Sequence, residues 1–207
     1  MKILVFGANG TIGRHAATEL RRHHAEFCDG ALEVIEAHRT SADFHVDAND
    51  DSSVKALFER VGEVDAVVSA IGNARWESAD KATLDTYLST IQGKLISQLR
   101  IALEARECVR PNGSITLTSG IVGNFAFPGG SASSVVNQAL DAFVRTASPE
   151  LPTLRINSVS ATVIEESAAA YGATFPGFAP ASGAVIGRAF VRSVFGVETG
   201  QTITAWG

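Results

Sequence analysis

The feature that most limits what this chain can become lies at its start. The apolar run Ile3-Leu4-Val5-Phe6 leads straight into Gly7-Ala8-Asn9-Gly10-Thr11-Ile12-Gly13. The run reads as a strand over 2–6. The residues that follow read as a helix over 12–23, with Ile12, Ala16 and Leu20 on one face. Glycines spaced GxxGxxG between a strand and a helix meet three demands of one ligand. Gly7 permits a tight turn, Gly10 lets backbone approach a pyrophosphate, and Gly13 lets helix and strand pack closely. The helix then offers unpaired N–H groups and its positive dipole end to the phosphates. Asn9, Thr11 and Ile12 stand among these glycines as further candidate cofactor contacts.

The rest of the chain alternates as such a loop requires. Strands are expected at 32–37, 64–70, 114–118, 155–159 and 202–205. Helices are expected at 54–61, 84–108, 132–147 and 184–194. Val67 and Val68 are adjacent and apolar, as suits a strand buried on both faces. Asp51, Ser52 and Ser53 offer N-caps for the helix that turns Leu57, Phe58 and Val61 inward. The alternation predicts an α/β fold: a parallel sheet with helices on both faces, doubly wound through right-handed crossovers. The chain's 207 residues suit one domain, 1–207, with a core that needs no disulfide or metal.

Charge and cysteine usage exclude several functions. Against 17 Lys and Arg stand 22 Asp and Glu, a net charge of −5, which argues against nucleic acid or an anionic membrane as partner. Cys28 and Cys108 fall in no CxxC pattern, and the five histidines form no HxxxH or HExxH arrangement, so no metal site is expected. The stretches 111–140 and 167–187 carry no charge but are broken by Pro, Gly, Ser and Asn, unlike a membrane span. The opening apolar run is too short for a signal peptide. A cytoplasmic protein is expected.

The expected second strand ends Ile35-Glu36-Ala37-His38-Arg39-Thr40. A site that prefers NAD places a carboxylate here, on the ribose 2′-hydroxyl. Arg39 instead suits a 2′-phosphate through charge-assisted hydrogen bonds. The expected cofactor is NADP(H), held by Arg39 and Thr40, ahead of NAD(H).

Over nearly its whole length the chain resembles the short-chain dehydrogenase/reductase family. The glycine loop is similar to that family's glycine motif. Asp47, in His45-Val46-Asp47-Ala48, resembles its adenine-contacting Asp. Ser69-Ala70-Ile71-Gly72 resembles its Asn-Asn-Ala-Gly segment, and Gly113–Gly120 the strand carrying its catalytic serine. Arg155–Ser160 and Thr199–Thr202 resemble its sixth strand and the approach to its last. The glycine spacing is nearer the family's extended and atypical members, although extended members run roughly 100 residues longer. The resemblance implies a three-layer Rossmann fold with about seven strands. It also implies cofactor contacts from Asp47, Ala48, Ala70, Ile71 and Gly72.

The departure lies in the chemistry. The family's Tyr-x-x-x-Lys motif is absent: Ile91 and Phe175 stand four residues after Tyr87 and Tyr171, and no lysine follows Lys94. Aligning Asn137–Phe143 with the family's helix puts Ser133 at the tyrosine place and Asn137 at the lysine place. Counting from Gly113 puts Gly120 at the catalytic serine, and a slip of one residue restores Ser119. Lys94 falls near an Asn of the family's fourth helix, where an amine reaches the active-site side of the cofactor. The expected catalytic set is therefore Ser119, Lys94, Ser133 and Asn137.

A lid over residues 165–180 is expected, with Phe175 and Phe178 as apolar walls. Tyr171 reads as an aromatic of that lid, and Glu165 and Glu166 as a solvated loop. Arg75 and Trp76 read either as a pocket rim or as a surface pair. The expected function is an NADP(H)-dependent oxidoreductase acting on a small, mostly apolar carbonyl or alcohol. The alternative is a catalytically silent NADP(H)-binding sensor or partner-binding protein, and the two part on whether Lys94 and Ser119 converge. A homodimer or homotetramer is expected, because Val135, Val136, Leu140, Phe143 and Val144 exceed what one sheet face buries.

Overall fold

In the computed structural model, which describes residues 1–206, six parallel strands form one sheet. They are β1 (Lys2–Phe6), β2 (Glu33–Ala37), β3 (Val64–Ser69), β4 (Val109–Thr118), β5 (Arg155–Ala161) and β6 (Thr202–Ala205), in the order β2-β1-β3-β4-β5-β6. The helices are α1 (Thr11–Phe27), α2 (Asp51–Val61), α3 (Leu84–Thr90), α4 (Ser97–Cys108), α5 (Ser131–Ala147), the short α6 (Ala168–Tyr171) and α7 (Gly183–Phe195).

Alternation along the strands fills a core on each side of the sheet. In β1, Ile3 and Val5 face a cluster built with Leu20 of α1 and Ile186 and Phe190 of α7. Leu4 and Phe6 face the opposite cluster, built with Leu57 and Phe58 of α2, Ile101 of α4 and Leu140 and Val144 of α5. Successive side chains of a strand point to opposite faces, so a strand apolar at every position needs helices on both sides. The result is the expected three-layer arrangement.

The sheet has six strands where about seven were expected, and the difference lies after β2. Residues 39–44 turn back without a helix and meet β2 in a single bridge, His38 to His45. A full parallel crossover takes a dozen or more residues. β4 begins as a bulge: its register with β3 shifts between Val64–Val109 and Ala66–Ser114, and Asn112 adopts φ 68°. The regular ladder starts at Ser114, where the sequence places it. α2 is capped by Asp50, one residue before the expected candidates, whose side chain accepts from the Ser52 N–H at 2.9 Å. Helix 84–108 is interrupted by a π-helix, Ile91–Ile96, which no sequence pattern announced.

From β1 the chain crosses to β2 on one side and then to β3 on the other. This reversal opens a crevice beyond the carboxyl ends of β1 and β3, where doubly wound sheets bind ligands.

Candidate functional site

Two clefts occupy that edge of the sheet. The first, of about 270 Å³, is built from the loops after β1, β2 and β3. Gly7 turns the chain at φ 74°, and its N–H donates to the Ala37 carbonyl at 2.8 Å. A Cβ on Gly7 would stand 2.6 Å from the Ala70 carbonyl oxygen, so only glycine lets the end of β3 close against this loop. The N-terminus of α1 carries no side-chain cap, which leaves its N–H groups directed at the crevice.

Gly7, Asn9 and Gly10 line this cleft on one side, and Ala70, Ile71 and Gly72 on another. Arg39, Asp47 and Ala48 complete the far end. Thr40 braces that end: its Oγ1 accepts from Asn9 Nδ2 at 3.3 Å and meets His38 Nδ1 at 3.1 Å. Asp47 Oδ1 accepts from the Asn49 N–H at 3.0 Å. Gly13 is buried beneath the loop. Thr11 opens α1 and lines neither cleft, whereas Ile12 lines the second. Sequence reasoning missed Val46, Asn49, Asn73, Gly93 and Ser97, which also line the first cleft. Only their positions beside Asp47, Gly72 and Lys94 hinted at them.

The second cleft, of about 360 Å³, lies beyond β4 and β5. It brings together all four residues singled out for chemistry: Lys94, Ser119, Ser133 and Asn137. Lys94 sits in the π-helix, a distortion frequent at functional sites. The loop after β3 docks on that helix through Asn73 N–H to the Gly93 carbonyl at 3.2 Å. Gly72 separates the clefts. It lines the first, and a Cβ there would lie 2.7 Å from Lys94 Cγ, so its bare backbone lets the lysine stem pass to the second.

Lys94 Nζ donates to the Ser119 carbonyl oxygen at 3.4 Å. Burial pulls its pKa down to about 8, and the carboxylate of Asp141 on α5 opposes the fall. Ser119 Oγ, Asn137 Oδ1 and Thr162 Oγ1 are buried and lack a hydrogen-bond partner among the described residues. All three residues line this cleft. Buried polar groups are rarely left unpaired, so three such groups on residues that line the cleft with Lys94 make it a candidate place for a polar ligand end. Thr162 was missed by sequence reasoning; its one signal is that it follows β5 directly.

The segment 165–178 closes the outer side. Tyr171, 52% exposed, and Phe175 line the cleft, whereas Phe178 packs behind it against Phe125 and Phe127. Of the expected walls, Phe175 alone is one. Glu166 is tied by an ion pair to His15 of α1 at 2.5 Å and is not merely solvated. Trp76 lines the cleft, while Arg75 turns away to Asp85 at 3.4 Å. Tyr87 lies outside it, with its hydroxyl 3.0 Å from Ser131 Oγ. Among the described residues no helix is long and apolar enough to cross a membrane.

The fold and glycine loop define a Rossmann-type nucleotide-binding protein, and comparison with known proteins narrows the class. The family described as enoyl-(acyl carrier protein) reductase matches residues 7–194. The protein lin1944 from Listeria innocua is 38% identical, with 99% of this chain and 98% of that one covered and a TM-score of 0.91. A small-chain dehydrogenase in complex with NADPH is 20% identical, covering 99% and 95%, with a TM-score of 0.85. The aldohexose dehydrogenase of Thermoplasma acidophilum is 16% identical, covering 98% and 91%, with a TM-score of 0.81. These last two share the fold. No curated protein matches the chain. The chain belongs to the short-chain dehydrogenase/reductase family of oxidoreductases, which bind nicotinamide cofactors.

Proposed function

We propose that the protein is an NADP(H)-dependent reductase of atypical short-chain type, acting on a small, mostly apolar carbonyl compound or the matching alcohol. The observation that carries this reading is that one cleft beside the nucleotide crevice is lined by Lys94 and by Ser119, Asn137 and Thr162, whose Oγ, Oδ1 and Oγ1 are unpartnered among the described residues. A silent sensor has no need of such a cluster.

The residues present fit the cofactor. Gly7, Gly10 and the uncapped end of α1 suit its pyrophosphate, Asp47 and Ala48 its adenine, and the exposed Arg39 a 2′-phosphate. The NADPH-bound relative supports the same choice. When bound, NADPH supplies a hydride to the carbonyl carbon. Ser119 donates a hydrogen bond from Oγ to the carbonyl oxygen and polarises it. Lys94 gives that oxygen a proton from Nζ and regains one from solvent through the open cleft. An ammonium with pKa about 8 is mostly protonated at neutral pH yet gives its proton up readily, the balance an acid catalyst needs. Ser133 and Asn137 hold the substrate oxygen from α5. The segment 165–180 acts as the lid of a single domain spanning 1–207.

Lys94→Met tests this directly. NADPH should still bind in calorimetry, while kcat falls by about 10²–10³, the usual worth of a positioned acid. In the unaltered protein, reduction should decline as pH rises through about 8, because it consumes the protonated amine, and alcohol oxidation should rise across the same range. A variant with undiminished kcat removes Lys94 from the mechanism.

We further propose a cytoplasmic homodimer or homotetramer assembled through α3, α4 and α5: of the α5 residues expected in excess, Val136, Leu140 and Val144 are buried within the chain and Phe143 packs against its core, while Val135 stands exposed with Leu84, Leu88 and Leu103. Light scattering should give two or four chains, and a mass of one chain overturns the assembly.

A further inference from the structure

The second cleft ends on aromatic rings. Trp76 and Phe175, with centroids 5.9 Å apart, both face it. Behind them the rings continue: Phe175 to Phe127 at 4.4 Å, Phe127 to Phe178 at 5.6 Å, Phe178 to Phe125 at 4.9 Å, and Phe125 to Trp206 at 5.4 Å. A chain of rings that support one another is a preformed wall whose ordering precedes any ligand. Trp76 is also seated from outside: a Cβ on Gly129 would come within 2.7 Å of its Cδ1, so the Gly129 turn fits against the indole. Lys94 and Ser119 line the same cleft as the two rings.

Charge limits what can enter. Among the described residues, Lys94 is the one charged residue lining the cleft. The segments that bring Trp76 and Ser167 to the cleft carry Asp80 and Glu165, together with Glu77, which accepts from Thr86 Oγ1, and Glu166, which is paired with His15. The basic residues in those segments are Arg75, engaged by Asp85, and Lys81. A substrate carboxylate would find no cation once Lys94 meets the carbonyl oxygen, and would stand as an unpaired charge beside apolar rings.

Resting on the reductase reading above, we propose that the substrate is an uncharged aryl aldehyde or ketone, free in solution. Its ring stacks on Trp76 and Phe175, and its carbonyl oxygen meets Lys94 and Ser119. The ring gains edge-to-face contacts that an alkyl chain of equal size does not make.

The test pairs turnover with binding. With NADPH, benzaldehyde should exceed heptanal in kcat/KM by about tenfold, the worth of one well-placed ring contact, and para-carboxybenzaldehyde should fall below both. Trp76→Phe should keep the aryl preference, and Trp76→Leu should bring the ratio near one through KM. An alkyl substrate equal to the aryl one, or a ratio untouched in Trp76→Leu, overturns the proposal. Benzamide, which does not accept a hydride, separates this proposal from the reductase reading. It should quench tryptophan fluorescence saturably, and Trp76→Phe should abolish most of that quenching. Saturable quenching without turnover of any carbonyl upholds the aryl site and rejects the reductase. No quenching at millimolar benzamide overturns the aryl site whatever the turnover.

Discussion

Glu36 and Arg39 stand three residues apart near the end of β2 and have different surroundings. Glu36 is engaged by Arg21 at 2.7 Å, away from the crevice. Arg39 is exposed on the wall of the first cleft. On the reading proposed above this guanidinium discriminates by charge, because the 2′-phosphate is the one group that separates the two nicotinamide dinucleotides here. Arg39→Ala should weaken NADPH by about tenfold or more and leave NADH nearly unchanged, since a hydrogen bond to a charged group is worth about 1.5–3 kcal/mol. Calorimetry with each cofactor checks this, and an equal loss for both would show that Arg39 does not read the phosphate. At Lys94 the discrimination lies in protonation, since desolvation by its surroundings brings an ordinary lysine into the range where protons move near neutral pH.

The β1–α1 element separates two tasks that its glycines share. A Cβ on Gly13 would strike the Gly7 carbonyl oxygen, a backbone atom that cannot swing aside. A Cβ on Gly10 would meet that oxygen only at 3.2 Å, and Gly10 already has φ −75°, which alanine adopts freely. Gly13→Ala should therefore destabilise the fold by about 1–3 kcal/mol, as overpacking does. Gly10→Ala should leave thermal unfolding of the free protein nearly unaltered and weaken NADPH binding, because the added methyl group stands where the pyrophosphate approaches. Melting curves and calorimetry on the pair separate folding from binding, and the reverse pattern would refute the division. The π-helix between α3 and α4 is a similar local device: it offers the Gly93 carbonyl both to Asn73 N–H and to Ser97 Oγ, each at 3.2 Å, while turning Lys94 inward.

For the whole molecule, the second cleft is a cost carried by the fold. Lys94 has a folded pKa of about 8 against an ordinary value of 10.5, so the unfolded chain binds more protons between those values. Stability should rise with pH across that window and carry the full penalty below about pH 8. Lys94→Met removes the buried charge, and its melting temperature should exceed that of the unaltered protein by about 5 °C at pH 7, with the gain fading toward pH 10. A variant that melts no higher at pH 7 would show that the site is not strained in this way. Gain in stability with loss of turnover is the trade expected where a site is built for chemistry.

Local rules within the chain determined the strand–glycine–helix loop and the alternation of strands and helices, and they are the basis of the cofactor preference proposed from Arg39. Each depends on residues a few positions apart, where turn sterics, side-chain periodicity and phosphate charge act directly. Distant contacts decided the rest. Lys94 and Ser119 lie 25 residues apart and meet because β3 and β4 pair in parallel and the π-helix and Gly72 leave a path for the lysine stem. Thr162 joined them from the end of β5, and Trp76 met Phe175 across almost a hundred residues. Whether β2 gained a further strand beside it was also settled in three dimensions, because six residues between His38 and His45 allow one bridge and no crossover. Sequence spacing carries no information about such pairings; they follow from how the two helical layers close on the sheet and bury its faces.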